Sequence, residues 1–199
     1  MRKLTVLLIV AFTLLKCHPK NEKVEFVSLQ KEEIDNIVEA VILQDSLKTN
    51  SILFCNQLKK TTIEIPVKRK DGLEFPPVPG NIYIKSLLND KVNGEFFFTS
   101  KDSLSMLAQN SNPERIKIGS KVIDNLKSTT YEKEMLKRKN GKPSNFYEMS
   151  IPIFSLDKQK AYIELDHSCG SLCGNGKAYY LKKIKGKWKV IEKWETWIS

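Results

Sequence analysis

Between residues 30 and 47 apolar side chains recur at helical spacing. Ile34, Ile37, Val38, Val41 and Ile42 stand at i, i+3, i+4, i+7 and i+8. The stripe predicts an amphipathic helix over 30–47. Ser28 is placed to cap it, and Glu32 and Glu33 fall in its first turn, where the helix dipole favours anions. At the other end of the chain the period changes to two. Tyr147, Met149, Ile151 and Ile153 alternate with Glu148, Ser150 and Pro152, and Ala161, Ile163 and Leu165 alternate with Tyr162, Glu164 and Asp166. Residues 178–184 and 188–198 add two more strand-like segments, joined by the tight turn Lys185-Gly186-Lys187. Four consecutive strands with short turns predict an antiparallel meander. One-sided alternation implies one buried face, for which the helix is the natural cover. The expected class is α+β: an amphipathic helix packed on a curved antiparallel sheet with a C-terminal four-strand meander.

The middle of the chain is less regular. Residues 52–58 and 61–67 have strand composition, and 81–85 and 95–99 are shorter strand candidates. Lys70-Asp71-Gly72 predicts a turn, and the proline-rich run 75–80 a loop. Ser100 and Asp102 offer capping oxygens to a helix over 102–110, while 120–138 mixes helical and extended signals.

The amino terminus carries an address. Arg2 and Lys3 precede a 12-residue apolar run, Leu4 to Leu15. As a helix it would span about 18 Å, too short for a hydrocarbon core of about 30 Å, so it reads as a signal peptide. The run ends at Cys17, followed by the polar stretch 18–23. Here the sequence resembles bacterial lipoproteins, which are cleaved before a cysteine that carries diacylglycerol. Leu14 fits the −3 position of their cleavage motif, and Lys16 stands at −1, where a small residue is usual. The resemblance implies a signal peptide over 1–16, a lipid on Cys17, a polar tether over 17–27 and one α+β domain over 28–199. His18 follows the cysteine where inner-membrane retention would call for Asp. The implied location is therefore the outer membrane, on its periplasmic or surface side.

The formal charge is +10, and all the basic residues except Arg2, Arg69, Arg115 and Arg138 are lysines. Arginine forks read phosphates and base edges, whereas scattered lysines beside Glu and Asp make a solvated surface. No recognition motif accompanies the charge, so no nucleic-acid partner is expected. The 41% hydrophobic content excludes a disordered chain.

The C-terminal segments Ser150-Ile151-Pro152-Ile153-Phe154-Ser155, Cys169-Gly170-Ser171-Leu172-Cys173-Gly174-Asn175-Gly176, Gly186-Lys187-Trp188 and Trp197-Ile198-Ser199 resemble a group of small bacterial envelope lipoproteins. In that group the C-terminal hairpin carries CG-x2-CG-x-G before a G-K-W strand. The resemblance carries no activity with it. A helix on such a sheet is also similar to NTF2-like and cystatin-like domains, which host both enzymes and binders.

Residues 167–176 form the one constellation capable of chemistry. In an oxidising compartment, Cys169 and Cys173 are expected to form a local disulfide, with glycines at 170, 174 and 176 supplying unusual dihedrals. Two alternatives stand beside it: a metal site from His167, Cys169 and Cys173, lacking a visible fourth ligand, and a Cys–His nucleophile pair. Cys55, in the run Ile52-Leu53-Phe54-Cys55, reads as a buried small hydrophobe.

Trp188, Trp194 and Ile198 share one face of the last strand by parity and Trp197 takes the other. With Tyr162 and Tyr180 as cross-strand neighbours, Trp197 is a candidate for an exposed aromatic patch. His167, Trp197, Tyr162 and Tyr180 are the candidate binding residues. Glu164 and Asp166 share an outer strand face at a spacing of about 7 Å, which suits glycoside chemistry but is met more simply by an exposed polar face. No phosphate loop, HExxH helix or nucleophile elbow occurs. The expectation is a lipid-anchored envelope domain that binds a protein or polysaccharide, with no catalytic residue, metal or cofactor. The alternative is a small-ligand or hydrolytic domain with a pocket on the sheet.

Overall fold

The computed structural model describes residues 20–68, 70–78, 80–110, 115–170 and 173–199. The leader 1–16 and Cys17 lie outside these residues. No helix among the described residues is long and apolar enough to cross a membrane.

Helix α1 runs Lys20–Gln44 and is followed by a 3-10 turn at Leu47–Thr49. It starts ten residues earlier than the stripe predicts, so the backbone of 20–27, expected as a tether, is helical, and Ser28 lies within the helix. The reason is plain in the sequence: no glycine or proline interrupts 20–44, so nothing ends the helix once it is nucleated. Strands β1 (Leu53–Cys55), β2 (Gln57–Leu58), β3 (Ile63–Glu64) and β4 (Ile82–Tyr83) precede α2 (Ile84–Asn89). Then come β5 (Lys91–Val92), β6 (Glu95–Phe96), α3 (Ser103–Asn110) and β7 (Ile116–Lys117). A short turn, Ser100–Asp102, leads into α3, with Thr99 and Asp102 capping each other reciprocally. The ambiguous stretch resolves into α4 (Ser120–Ile123), β8 (Ser128–Thr129) and α5 (Tyr131–Lys139).

The C-terminal meander is present as β9 (Phe146–Met149), β10 (Ile153–Phe154), β11 (Lys160–Ser168), β12 (Gly174–Ile184) and β13 (Lys187–Ile198). Pro152 divides the first expected strand, because it can donate no ladder hydrogen bond. The main sheet has seven strands in the order β13-β12-β11-β9-β1-β8, with β10 also paired to β11. It is mixed rather than wholly antiparallel, since β1 runs parallel to both β8 and β9. The class is α+β.

Both faces of the sheet are buried, where alternation predicted one. On the first face Ile34, Ile37, Val38, Val41 and Ile42 of α1 pack on Ala161, Ile163, Leu165, Tyr179, Leu181 and Trp188. On the second, Tyr162, Ala178 and Tyr180 lie beneath Leu87, Val92, Phe97, Phe98 and Met106. That second layer comes from short elements between β3 and α3, too brief to show a period. It also occupies the sheet face on which a pocket was the alternative expectation.

Candidate functional site

The end of the β11–β12 hairpin is closed by a disulfide between Cys169 and Cys173, with Cα atoms 5.1 Å apart. The Cys169 amide donates to the Cys173 carbonyl at 3.0 Å. With both sulfurs bound to each other, neither remains as a thiolate nucleophile or metal ligand, which removes those two readings. Among the described residues no group of three His, Cys, Asp or Glu side chains is placed to hold a metal ion. Cys55 is free and buried, and burial pushes its thiol up to about 12.

His167 lies on the α1 side of the hairpin end. Its Nε2 is 2.7 Å from Asn145 Oδ1 and its ring is 4.8 Å from that of Tyr147. Burial lowers its pKa below the usual histidine value, so the ring is neutral at pH 7.

The opposite face carries a polar row that crosses four strands in register. Glu148 of β9 pairs with Asp166 of β11, Asp166 with Gly176 of β12, and Gly176 with Trp197 of β13. The Trp197 indole Nε1–H donates to Asp166 Oδ1 at 3.1 Å, reaching over β12. Only glycine permits this. A Cβ at Gly176 would lie 2.1 Å from Trp197 Nε1, and one at Gly174 would lie 2.9 Å from the far edge of the ring. The glycine pair of the CG-x-G segment thus forms the bed on which the indole rests, while Trp197 remains 42% exposed.

Two cations tie the row together. Lys59 is placed by backbone hydrogen bonds: its N–H donates to the Met149 carbonyl at 2.7 Å, and its carbonyl accepts from Ile151 at 3.0 Å. This clamp points its ammonium at Asp166, in a close ion pair, and at Glu164 Oε2, 3.7 Å away. Burial pulls the Lys59 pKa down, but the attraction of the two carboxylates outweighs it, and the net shift is upward. Arg115 follows from β7 pairing with β2. Its Nη1 donates to Glu148 Oε1 at 2.6 Å, and its guanidinium lies 4.3 Å from the centre of the Tyr131 ring. Burial raises the Glu148 pKa in spite of Arg115. The Tyr162 hydroxyl donates to Glu164 Oε1 at 2.7 Å. Glu164 and Asp166, expected on an exposed face, are therefore mostly enclosed and paired.

Tyr162 and Tyr180 do not join Trp197 in an exposed patch. Both are buried under the second layer, with ring centres 5.2 Å apart, and Tyr180 donates to Asp90 Oδ2 at 2.5 Å. The faces of β13 also differ from simple parity. Register shifts opposite Gly176/Lys177 and Tyr180/Leu181 put Trp194 against Tyr180, ring centres 4.7 Å apart, while Trp188 packs on the α1 side. Lys59, Arg115 and Glu148 carried no sequence signal. Gly176 did, inside the CG-x-G segment, but the ring that needs it is 21 residues away.

A separate cleft of about 690 Å³ opens between α1, α3 and the β10–β11 turn, lined in part by Gln30, Glu33, Gln109, Phe154, Leu156 and Lys183. Gln109 closes its inner end by pairing its amide with both backbone groups of Phe154, at 2.9 and 3.1 Å. Glu33 accepts from Lys183 Nζ and Trp188 Nε1, both at 2.5 Å. Compared with family models, curated proteins and solved structures, the chain matches none.

Proposed function

We propose that this chain is an envelope protein, held by lipid on Cys17 at the outer membrane, whose domain works by binding rather than catalysis. Its partner is an envelope protein or surface polysaccharide, engaged through the Trp197 face without a cofactor. One observation carries the reading: the indole is fixed on a glycine bed and oriented by Asp166, while half of its surface faces solvent. A rigid, pre-oriented aromatic costs little entropy when it is covered by a partner. The neighbouring charges support binding as well. Lys59 and Arg115 occupy the acids that general acid–base chemistry would need.

The anchor is tested by mass spectrometry of the mature amino terminus, with and without globomycin. Diacylated Cys17, lost on treatment, is the expected result. An unacylated chain starting elsewhere contradicts it. A second reading, a small-ligand domain, has support only in the cleft beside α3, whose volume lies within the range of about 300–1,000 Å³ typical of small-molecule sites.

A further inference from the structure

The segment joining β3 to β4 exposes apolar side chains that the rest of the fold does not cover. Ile65, Val67, Leu73 and Val78 are each between 60% and 69% exposed, within 14 residues of chain. The segment is nonetheless ordered. Lys68 and Glu74 form an antiparallel bridge, Gly72 takes the turn at φ +81°, and the Leu73 amide donates to Asp71 Oδ1 at 3.1 Å. Its return limb is tied to β4 and α2: the Tyr83 hydroxyl donates to the Phe75 carbonyl, and Lys85 pairs with Glu74. The result is a pinned hairpin with an apolar tip.

Three properties fit this tip to an anionic bilayer surface. Its apolar side chains flank the basic run Lys68-Arg69-Lys70, so apolar and cationic groups are presented together. Of its acids, Glu74 is held by Lys85 and Asp71 is turned to its own backbone. Pro66, Pro76, Pro77 and Pro79 have no N–H, which lowers the cost of moving this backbone out of water.

We propose that the 65–78 hairpin is a membrane-contacting element that seats Ile65, Val67, Leu73 and Val78 at the headgroup–acyl boundary of an anionic bilayer, with Lys68 and Lys70 on the headgroups. The insertion depth expected for such an element is about 5–10 Å. The proposal rests on the lipid-anchor reading only for the nearness of a bilayer. It adds a second point of attachment that would orient the domain.

The test uses the full chain with Cys17→Ser and Leu73→Cys, labelled with bimane at position 73. Cys55 is buried and Cys169 and Cys173 are bonded, so one thiol reacts. The probes are vesicles of phosphatidylglycerol and phosphatidylcholine, or phosphatidylcholine alone, carrying nitroxide lipids; a label at Lys142→Cys is the control. The expected result is a blue shift and nitroxide quenching at position 73 in the anionic vesicles, neither at 142, and loss of both in the Lys68→Glu/Lys70→Glu chain. A label at 73 that stays in water while the chain is vesicle-bound overturns the proposal. So does equal quenching at 73 and 142, or protection that appears only as protein concentration rises, which would mean a protein partner. The amino-terminal mass reports on the anchor alone, so either claim can fail without the other.

Discussion

Trp197 and Asp166 are hydrogen-bonded across a strand that lies between them, and Gly176 is the residue that lets them meet. The last strand is thereby latched to the middle of the sheet, and the exposed indole is held at a fixed angle. Gly176→Ala is expected to dislodge the ring and to cost about 1–3 kcal/mol, the usual range for overpacking. In a Trp197→Ala background the same change should cost far less, because its neighbour is gone. Urea unfolding of the four proteins in this cycle measures the coupling. Additive losses would mean that the ring does not depend on the glycine.

The Lys59 clamp makes a second coupled unit. Lys59→Met leaves Asp166 and Glu164 facing each other without their cation, and a loss of about 3 kcal/mol is expected from breaking a largely enclosed pair. Adding Asp166→Asn removes one of the stranded charges and should restore part of that loss. The amide still offers an oxygen to the Trp197 indole. Equilibrium denaturation reads the result, and a double variant weaker than the sum of the single ones contradicts the assignment.

The pattern legible in the sequence was the part written in regular periods. The stripe from Ile34 to Ile42 and the alternation in Tyr147–Ile153 and Ala161–Leu165 named α1, the meander and most of the first-face core. The second face was not legible. Phe97, Phe98, Leu87 and Met106 sit on elements of eight residues or fewer, and only long-range packing brings them over Tyr162 and Tyr180. The site divides the same way. Alternation put Asp166 on the outer face, but two bulges decide where Trp194 and Trp197 point, and Lys59 reaches Asp166 from 107 residues away.

Alkali should unfold the protein and ionise its buried phenols together. Burial, followed by hydrogen bonding to Asp45 for Tyr179 and to Asp90 for Tyr180, raises both phenols well above the usual tyrosine value, and burial does the same to Tyr162. A raised folded-state pKa gives stability that is complete below the unfolded value of about 10 and declines as pH rises above it. Phenolate absorbance near 295 nm from these three residues is therefore expected to appear only in step with the loss of circular dichroism. Full ionisation in a still-folded protein would contradict their placement.

The Cys169–Cys173 bridge spans a sequence separation of four and sits at the tip of one hairpin. Replacing both cysteines by serine should lower stability by at most about 2 kcal/mol, since so short a loop restricts little chain entropy. Gly174 follows the bridge directly and lies under the Trp197 ring, so the indole emission should change more than the stability does. Non-reducing peptide mapping checks the pairing: a Cys55 cross-link or two free thiols would overturn it.

The central claim, recognition through the Trp197 face, is tested most directly by photo-cross-linking in living cells from a benzoylphenylalanine at exposed Thr196, beside the indole, with Lys142 as a remote control. The account predicts a dominant adduct from position 196 that is absent from 142 and disappears when Trp197→Ala is added to the folded protein. No adduct from 196, the same adducts from both positions, or an adduct indifferent to Trp197 would contradict it.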